Sequence, residues 1–320
     1  MIFFKRLIFI FFSFCSLASY SELNEPIKPI PLSVSYDKNL ASLGEKLFFD
    51  KNLSNDRNIS CASCHVLDAG GDDGNRFPTG VKGRLGTINS PTVYNTRFNF
   101  KQTWSGQFDD LKGQVDMPIQ EDHEMGSTWP GLIARLYEDK DYPDMFKRIF
   151  DESIKRNHVK KAIAEFEMSL ITPSSPFDKY LNGDSSAINQ LEKDGYTYFK
   201  KYGCISCHQG VNVGGNMFQL FGVINNYFQE RGEDIRKSDL GRYNVTGREQ
   251  DKHVFKVPSL RMVEHTAPYF HDGSMKTLKE AVDAMFRYQL GRSAPEEHKE
   301  AIVAFLKTLD GIPQGETYEK

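Results

Sequence analysis

Two C-x-x-C-H motifs, at residues 61–65 and 204–208, constrain this chain more than any other feature of its sequence. In such a motif two thiols separated by two residues each add to a vinyl group of one haem, and the histidine after the second thiol ligates the iron from one face. Two copies therefore predict two covalently bound c-type haems. The attachment and ligand residues are Cys61, Cys64, His65, Cys204, Cys207 and His208.

Paired cysteines also occur in zinc sites and in redox dithiols. The histidine that directly follows the second cysteine in both copies favours haem attachment over either alternative. Haem attachment by itself does not separate an electron carrier from an enzyme.

The first 21 residues have the pattern of a secretory signal. Lys5 and Arg6 precede an apolar run at residues 7–12, which is too short for a membrane span, and mostly small residues follow. An uncleaved membrane anchor is the alternative. Once this segment is removed, all remaining cysteines lie in the two motifs, and none is left for disulfides. We therefore expect a periplasmic protein, since bacteria attach haem covalently outside the cytoplasm.

The balance of charge argues against a nucleic-acid binder. The formal net charge is −3, and it becomes about −5 when Lys5 and Arg6 leave with the signal. The mature chain has no basic run of the kind that binds phosphate backbones.

Periodicity predicts a mostly α protein with two tandem cytochrome c-type haem domains and long haem-wrapping loops. The chain is long enough for two cores. Residues 56–126 are rich in Gly, Asn, Asp and Pro, which indicates loops around a large apolar cofactor. We assign 22–173 to the N-terminal domain and 174–320 to the C-terminal domain. Helical spacing is clearest at 40–49, 142–150, 158–171, 186–202, 278–290 and 295–309.

Further segments occur in one consistent order along the chain. They are LGEKLFFD at 43–50, NSPTVYN at 89–95, WSG at 104–106, PIQ and EM within 118–125, PSSPFD at 173–178 and TAPYFH at 266–271. With the two motifs, this order resembles the bacterial dihaem cytochrome c peroxidases, a family that includes the MauG-like proteins. The resemblance extends from about residue 40 to 310. It implies a homodimeric enzyme that reduces hydrogen peroxide with electrons from a small c-type cytochrome or cupredoxin.

The resemblance implies different roles for the two haems. The N-terminal haem, with His65 as its proximal ligand, would reduce peroxide, and the C-terminal haem, with His208, would supply electrons. Met285 matches the family's sixth ligand of the second haem, and methionine opposite histidine raises the reduction potential. On its own, a methionine in the pattern Val282, Met285, Phe286 is more typical of a helix core.

The resemblance also implies residues for the peroxide chemistry. Glu124 matches the family's catalytic glutamate, which takes a proton from one peroxide oxygen and returns it to the other. Gln120 matches its partner. Without the resemblance, a loop glutamate would be interpreted as a solvated surface charge. Trp104 matches the tryptophan between the two haems, for which a packed core indole is the alternative.

An interdomain calcium ion is implied by the same family. Its ligands would be Asn89 and the carbonyl oxygens of Thr266 and Pro268, and a set of oxygen donors completed by water suits calcium. His271, in the same segment as Thr266, is expected to pack near a haem propionate and not to ligate iron.

One position departs from the family pattern. Many members have a histidine sixteen residues after the proximal one, and it caps the peroxidatic iron in the resting state. Here that position is Val81, and no histidine lies between His65 and His123. We expect the first haem to rest without a histidine from this loop, either five-coordinate or water-bound. His123 is the one nearby substitute.

Two other functions are open on the sequence. A MauG-like enzyme that oxidises residues of a partner protein is compatible with Val81. Met285 argues against its closest form, which has a tyrosine there. A dihaem electron-transfer cytochrome without peroxidase activity would leave Glu124 and Gln120 without a role.

Overall fold

The computed structural model describes residues 25–314, so the predicted signal at residues 1–21 lies outside the described residues. The described chain is mostly α-helical, as predicted. Met285–Leu290 forms a π-helix directly after the α-helix Leu278–Ala284, and two short strands, β1 (Phe218–Leu220) and β2 (Val254–Lys256), pair antiparallel. The α-helices are α1 (Lys38–Phe49), α2 (Leu111–Gln114), α3 (Asp116–Gln120), α4 (Trp129–Glu138), α5 (Tyr142–Phe150), α6 (Arg156–Ser169), α7 (Pro176–Leu181), α8 (Gln190–Lys201), α9 (Tyr227–Arg231), α10 (Tyr243–Thr246), α11 (Leu278–Ala284) and α12 (Glu296–Lys307).

In each half, the helix that precedes the haem motif crosses a later helix at a glycine. Gly44 of α1 lies so close to α6 that a Cβ atom would be 1.9 Å from the carbonyl oxygen of Ala162. Gly195 of α8 has the same relation to Ala301 of α12, again at 1.9 Å. Only a residue without a side chain permits such an approach. The repeated crossing supports two tandem haem domains of one architecture.

Each half also has its own apolar core. Leu43, Leu132 and Phe146 are among the fully buried residues of the first core, which α1, α4, α5 and α6 enclose. Phe177 and Phe305 lie at the centre of the second core, where their rings meet edge to face with centroids 4.9 Å apart. Such contacts add to the stabilisation that apolar burial provides.

The N-terminal arm packs against the second half, although the predicted boundary assigns it to the first. Ile27 is fully buried in the second core. The backbone N–H of Lys28 donates to Gly210 at 3.2 Å, and the N–H of Gly210 donates to Pro26 at 2.9 Å. The domain boundary itself stays a prediction.

The predicted loop region, 56–126, consists largely of short turns between α1 and α4. It contains the 3-10 turns Cys61–Ser63, Leu67–Ala69, Val81–Gly83 and Thr96–Phe98, in addition to α2 and α3. Among residues 25–314, no helix combines the length and the apolar character that crossing a bilayer requires.

Candidate active site

The first haem motif forms a tight 3-10 turn shortly after α1. Its ends are tied together, because the N–H of His65 donates to the Cys61 carbonyl at 2.9 Å. The imidazole Nδ1–H of His65 donates to the carbonyl of Gly71 at 3.2 Å. Burial lowers the pKa of His65, which favours the neutral ring. With Nδ1 held as the donor, Nε2 carries the lone pair that a metal needs.

The second motif repeats this geometry. The N–H of His208 donates to Cys204 at 2.9 Å, and its Nδ1–H donates to the carbonyl of Val213 at 3.3 Å. Burial lowers the pKa of His208 to about 4. Both predicted proximal histidines are therefore neutral, oriented and supported by a backbone carbonyl, as haem ligation requires.

The four motif cysteines form no disulfide within residues 25–314. Burial raises the pKa of all four, to about 12 for Cys64 and to about 11 for Cys204. They are thus neutral thiols inside the protein. Their position in a turn that also presents a histidine fits haem attachment better than a reactive dithiol, which needs a lowered pKa.

A cavity of about 280 Å³ opens beside the second motif, and its lining is mostly apolar. Cys204, Cys207 and His208 contribute to its wall, and Met285 contributes from the π-helix. A π-turn at this point was not apparent from the sequence, and such turns are frequent at functional sites. The side chains that line this cavity suit a haem, because Cys204 and Cys207 would attach it and His208 and Met285 would ligate its iron. The other sequence-predicted residues that line it are Asn89, Trp104, Thr266, Pro268 and His271.

Glu124 lies in the turn after α3, close to the first motif. Its carboxylate raises the pKa of both Cys61 and Cys64 through its charge. Burial, and to a smaller extent the charge of Glu121, raise the pKa of Glu124 to about 7. A carboxyl with this pKa both accepts and releases a proton at neutral pH, which is the property of a general acid/base.

Gln120, the predicted partner of Glu124, has an exposed side chain at the end of α3. Its amide donates to the carbonyl of Asp116 at 3.1 Å, one turn back along the same helix. The two side chains therefore make no hydrogen bond with each other in this conformation. The role of Gln120 stays a prediction.

Val81 is buried against the turn that carries Glu124. Its side chain is 2% exposed, and its N–H donates to the carbonyl of Glu124 at 2.8 Å. Gly80 beside it lies so close that a Cβ would be 2.1 Å from the carbonyl oxygen of His123. His123 itself is exposed. The residue at the position of the family's histidine cap is thus an apolar side chain that packs against the turn carrying Glu124.

Trp104 is held at the wall of the cavity by two hydrogen bonds. Its indole N–H donates to the carbonyl of Asn89 at 2.9 Å, and its own carbonyl accepts from the N–H of Lys256 at 2.8 Å. Its ring meets His271 edge to face, with centroids 6.4 Å apart. These contacts fix the orientation of the indole.

His271 belongs to a buried network of charges that the sequence did not indicate. Its Nε2 is 2.8 Å from Asp239, and its ring stacks on Phe255 with centroids 4.4 Å apart. Arg231 joins Asp239, at 2.6 Å, to Asp272, at 2.8 Å. Asp239, His271 and Asp272 are close enough to share a metal ion, but the Arg231 guanidinium already forms an ion pair with each carboxylate. The cluster is therefore a salt-bridge network.

The three predicted calcium ligands all belong to residues that line the cavity. The Asn89 amide nitrogen donates to Asn75 at 2.9 Å, which leaves its oxygen as a free acceptor. Within the described part of the chain, the carbonyl oxygens of Thr266 and Pro268 accept no backbone hydrogen bond. Asp72 nearby is 1% exposed, and both of its carboxylate oxygens are without a hydrogen-bond partner among residues 25–314.

Comparisons with known proteins point to one family. Residues 38–186 match the family model of the di-haem cytochrome c peroxidases. The chain is 44% identical to the cytochrome c peroxidase Ccp of Escherichia coli over 90% of its own length and 62% of that protein. It is 44% identical to the cytochrome c551 peroxidase of Nitrosomonas europaea over 90% of its own length and 85% of that protein.

Among solved structures, a MauG-like protein associated with microbial copper homeostasis has the same fold. The TM-score is 0.76, with 25% sequence identity, and the alignment covers 90% of this chain and 93% of that one. The alignment with this structure therefore includes both halves of the chain, each with its haem motif.

Proposed function

This chain belongs to the family of bacterial di-haem cytochrome c peroxidases, and from that membership we propose that it reduces hydrogen peroxide to water with electrons from an external cytochrome or cupredoxin. The observation that carries the proposal is the raised pKa of Glu124 beside the cysteines of the first motif. The chain spans 62% of the length of its E. coli relative, so donor and substrate are argued from the site.

The reaction consumes one peroxide, two electrons and two protons and yields two waters. The haem at Cys61 and Cys64, when bound, supplies an iron through which electrons reach the peroxide. Glu124 supplies the proton transfer: its carboxylate takes the proton from the oxygen nearer the haem and returns it to the departing oxygen, which leaves as water. Since the pKa of Glu124 is about 7, both its protonated and its ionised form are populated at neutral pH, so it can serve as acid and as base.

Electrons enter at the second haem in this proposal. His208 and Met285 line the same cavity and would ligate the iron of the second haem, and a methionine ligand in addition to histidine would raise its reduction potential. Trp104 lines that cavity and is fixed by its bonds to Asn89 and Lys256. We assign the indole to the path between the two haems.

We further propose that the first haem rests without a histidine cap. Val81 occupies the position of the cap and is packed on the glutamate turn, while His123 is exposed. Peroxide therefore has access to this haem without prior displacement of a side chain. The same feature favours a MauG-like reaction as the second candidate, whereas a methionine at position 285 favours the peroxidase.

The proposed calcium site lies between the two halves of the chain. Asn89 would provide its amide oxygen, and Thr266 and Pro268 their carbonyl oxygens. Asp72 would contribute negative charge, because its buried carboxylate lies close enough to His265 and Tyr269, which flank that segment, to interact with them electrostatically. Hard oxygen donors with one nearby carboxylate suit calcium with several bound waters.

The remaining assignments concern location and partners. The signal pattern at residues 1–21 and covalent haem attachment support export to the periplasm. A formal charge of about −5 for the mature chain favours a basic electron donor that docks near the second haem. A homodimer is the expected assembly from the family.

The test is steady-state peroxide reduction by the holoprotein with a reduced small c-type cytochrome as donor. Glu124→Gln should lower kcat by about 10²- to 10⁴-fold, the usual contribution of a general acid/base. Asp122→Asn, an exposed carboxylate in the same turn, is the matched control and should keep the wild-type rate. Equal rates in the wild type and Glu124→Gln would remove Glu124 from the mechanism.

A further inference from the structure

Lys256 is a buried lysine at the end of β2. It pairs with Phe218 of β1 in the two-stranded sheet, and its backbone N–H donates to Trp104 at 2.8 Å. Only 8% of the residue is exposed. The strand thus fixes the backbone of Lys256 next to the backbone of Trp104.

The ammonium group of Lys256 has no ion pair and no hydrogen bond with any residue between 25 and 314. Burial lowers its pKa to about 8. Charged groups are rarely buried without a partner, because the loss of hydration is then uncompensated. Another group must therefore offset the burial of this charge.

Two other buried cations among residues 25–314 have partners within the protein. Arg261 contacts Asp178 at 2.7 Å, and Arg231 contacts both Asp239 and Asp272. Lys256 has no such partner, and it lines the cavity that also contains Cys204, Cys207 and His208. Its missing partner is thus a ligand of that cavity.

The cofactor that the second motif predicts for this cavity carries carboxylates. A c-type haem has two propionates, whereas the cavity lining is mostly apolar. We propose that Lys256 binds a propionate of the haem attached at Cys204 and Cys207 and raises the reduction potential of that haem. A positive charge near the iron favours the reduced state, because reduction lowers the positive charge of the site.

This inference rests on haem binding at the second motif, as the proposed function does, but it is independent of peroxide turnover. The test measures the midpoint potential of each haem by spectroelectrochemical titration without peroxide. The variants are Lys256→Met, which retains the length and loses the charge, and Lys256→Arg, which retains the charge. Lys252→Met, at a partly exposed lysine four residues earlier that pairs with Glu249, is the control.

Lys256→Met should lower the potential of the second haem by at least 59 mV, which is a tenfold change in a one-electron equilibrium. Lys256→Arg and Lys252→Met should change it much less, and the first haem should keep its potential. Loss of the second haem in Lys256→Met with retention in Lys256→Arg would also support the proposal.

Three results would overturn the assignment. They are an unchanged second potential in Lys256→Met, a shift confined to the first haem, and loss of haem from both Lys256 variants, which would show that length and not charge is required. If peroxide turnover is absent while the potential shifts as stated, the proposed function fails and this inference stands.

Discussion

Glu124 makes the stability of the protein depend on pH. Burial raises the pKa of its carboxyl from 4.5 to about 7. Between these values the unfolded chain loses the proton while the folded chain retains it, so the folded state becomes less stable as the pH rises. Each pKa unit corresponds to about 1.4 kcal/mol, and the shift therefore lowers the free energy of unfolding by about 3 kcal/mol above pH 7. Below pH 4.5 both states are protonated, and the effect vanishes.

The substitution Glu124→Gln removes the buried charge at every pH. At pH 8 it should raise the free energy of unfolding by up to about 3 kcal/mol, or Tm by about 5–10 °C. At pH 4 it should have no such effect. Thermal unfolding of the holoprotein, followed by circular dichroism at both pH values, measures the difference.

Asp122→Asn is the control, because this neighbouring carboxylate is exposed and its removal should leave Tm unchanged at both pH values. If Glu124→Gln melts with the wild type at pH 8, the carboxyl is solvated and the argument for its raised pKa is refuted. A gain of equal size at pH 4 and pH 8 would refute it as well, because the effect would then not arise from ionisation.

Three further changes test other parts of the structure. Gly44→Ala should destabilise the fold by about 2 kcal/mol, since overpacking costs about 3 kcal/mol and the better helix propensity of alanine returns about 1 kcal/mol. Gly131→Ala is the control and should not destabilise the fold, because its Cβ would meet only side-chain atoms. Equal Tm values for the two variants would contradict the close crossing of α1 and α6. Val81→His should convert the oxidised first haem to a low-spin, bis-histidine spectrum, and an unchanged spectrum would show that this loop does not reach the iron. Asp72→Asn should weaken calcium binding about tenfold by calorimetry, relative to the exposed control Asp68→Asn, and equal affinities would exclude Asp72.

The haem motifs and most helices could be predicted from the sequence, because their determinants are local. The spacing of cysteines and histidine is a short-range pattern, and α5 begins and ends at the predicted residues. The mostly α fold was confirmed for the same reason. The change from α11 to a π-helix at Met285 was not predictable, since one residue inserted into a helical turn leaves the apolar pattern almost unaltered.

Contacts between residues that are far apart along the chain could not be predicted from the sequence. The predicted boundary assigns Ile27 to the first half, whereas the structure buries it in the core of the second half. Lys256 is an ordinary lysine in the sequence, and only its position in the cavity without a partner distinguishes it. For Gln120, the sequence resemblance predicts a contact with Glu124, whereas in the structure the Gln120 amide donates to the carbonyl of Asp116.

The central claim is that this chain reduces peroxide at the first haem with Glu124 as acid/base, and a single turnover tests it most directly. The fully reduced holoprotein is mixed with one equivalent of hydrogen peroxide, without donor, and both haems are followed by stopped-flow absorbance. We expect rapid oxidation of both haems in the wild type and in Asp122→Asn, and oxidation slowed by about 10²-fold or more in Glu124→Gln. Slow oxidation of the wild type, or the same rapid rate in Glu124→Gln, would contradict it.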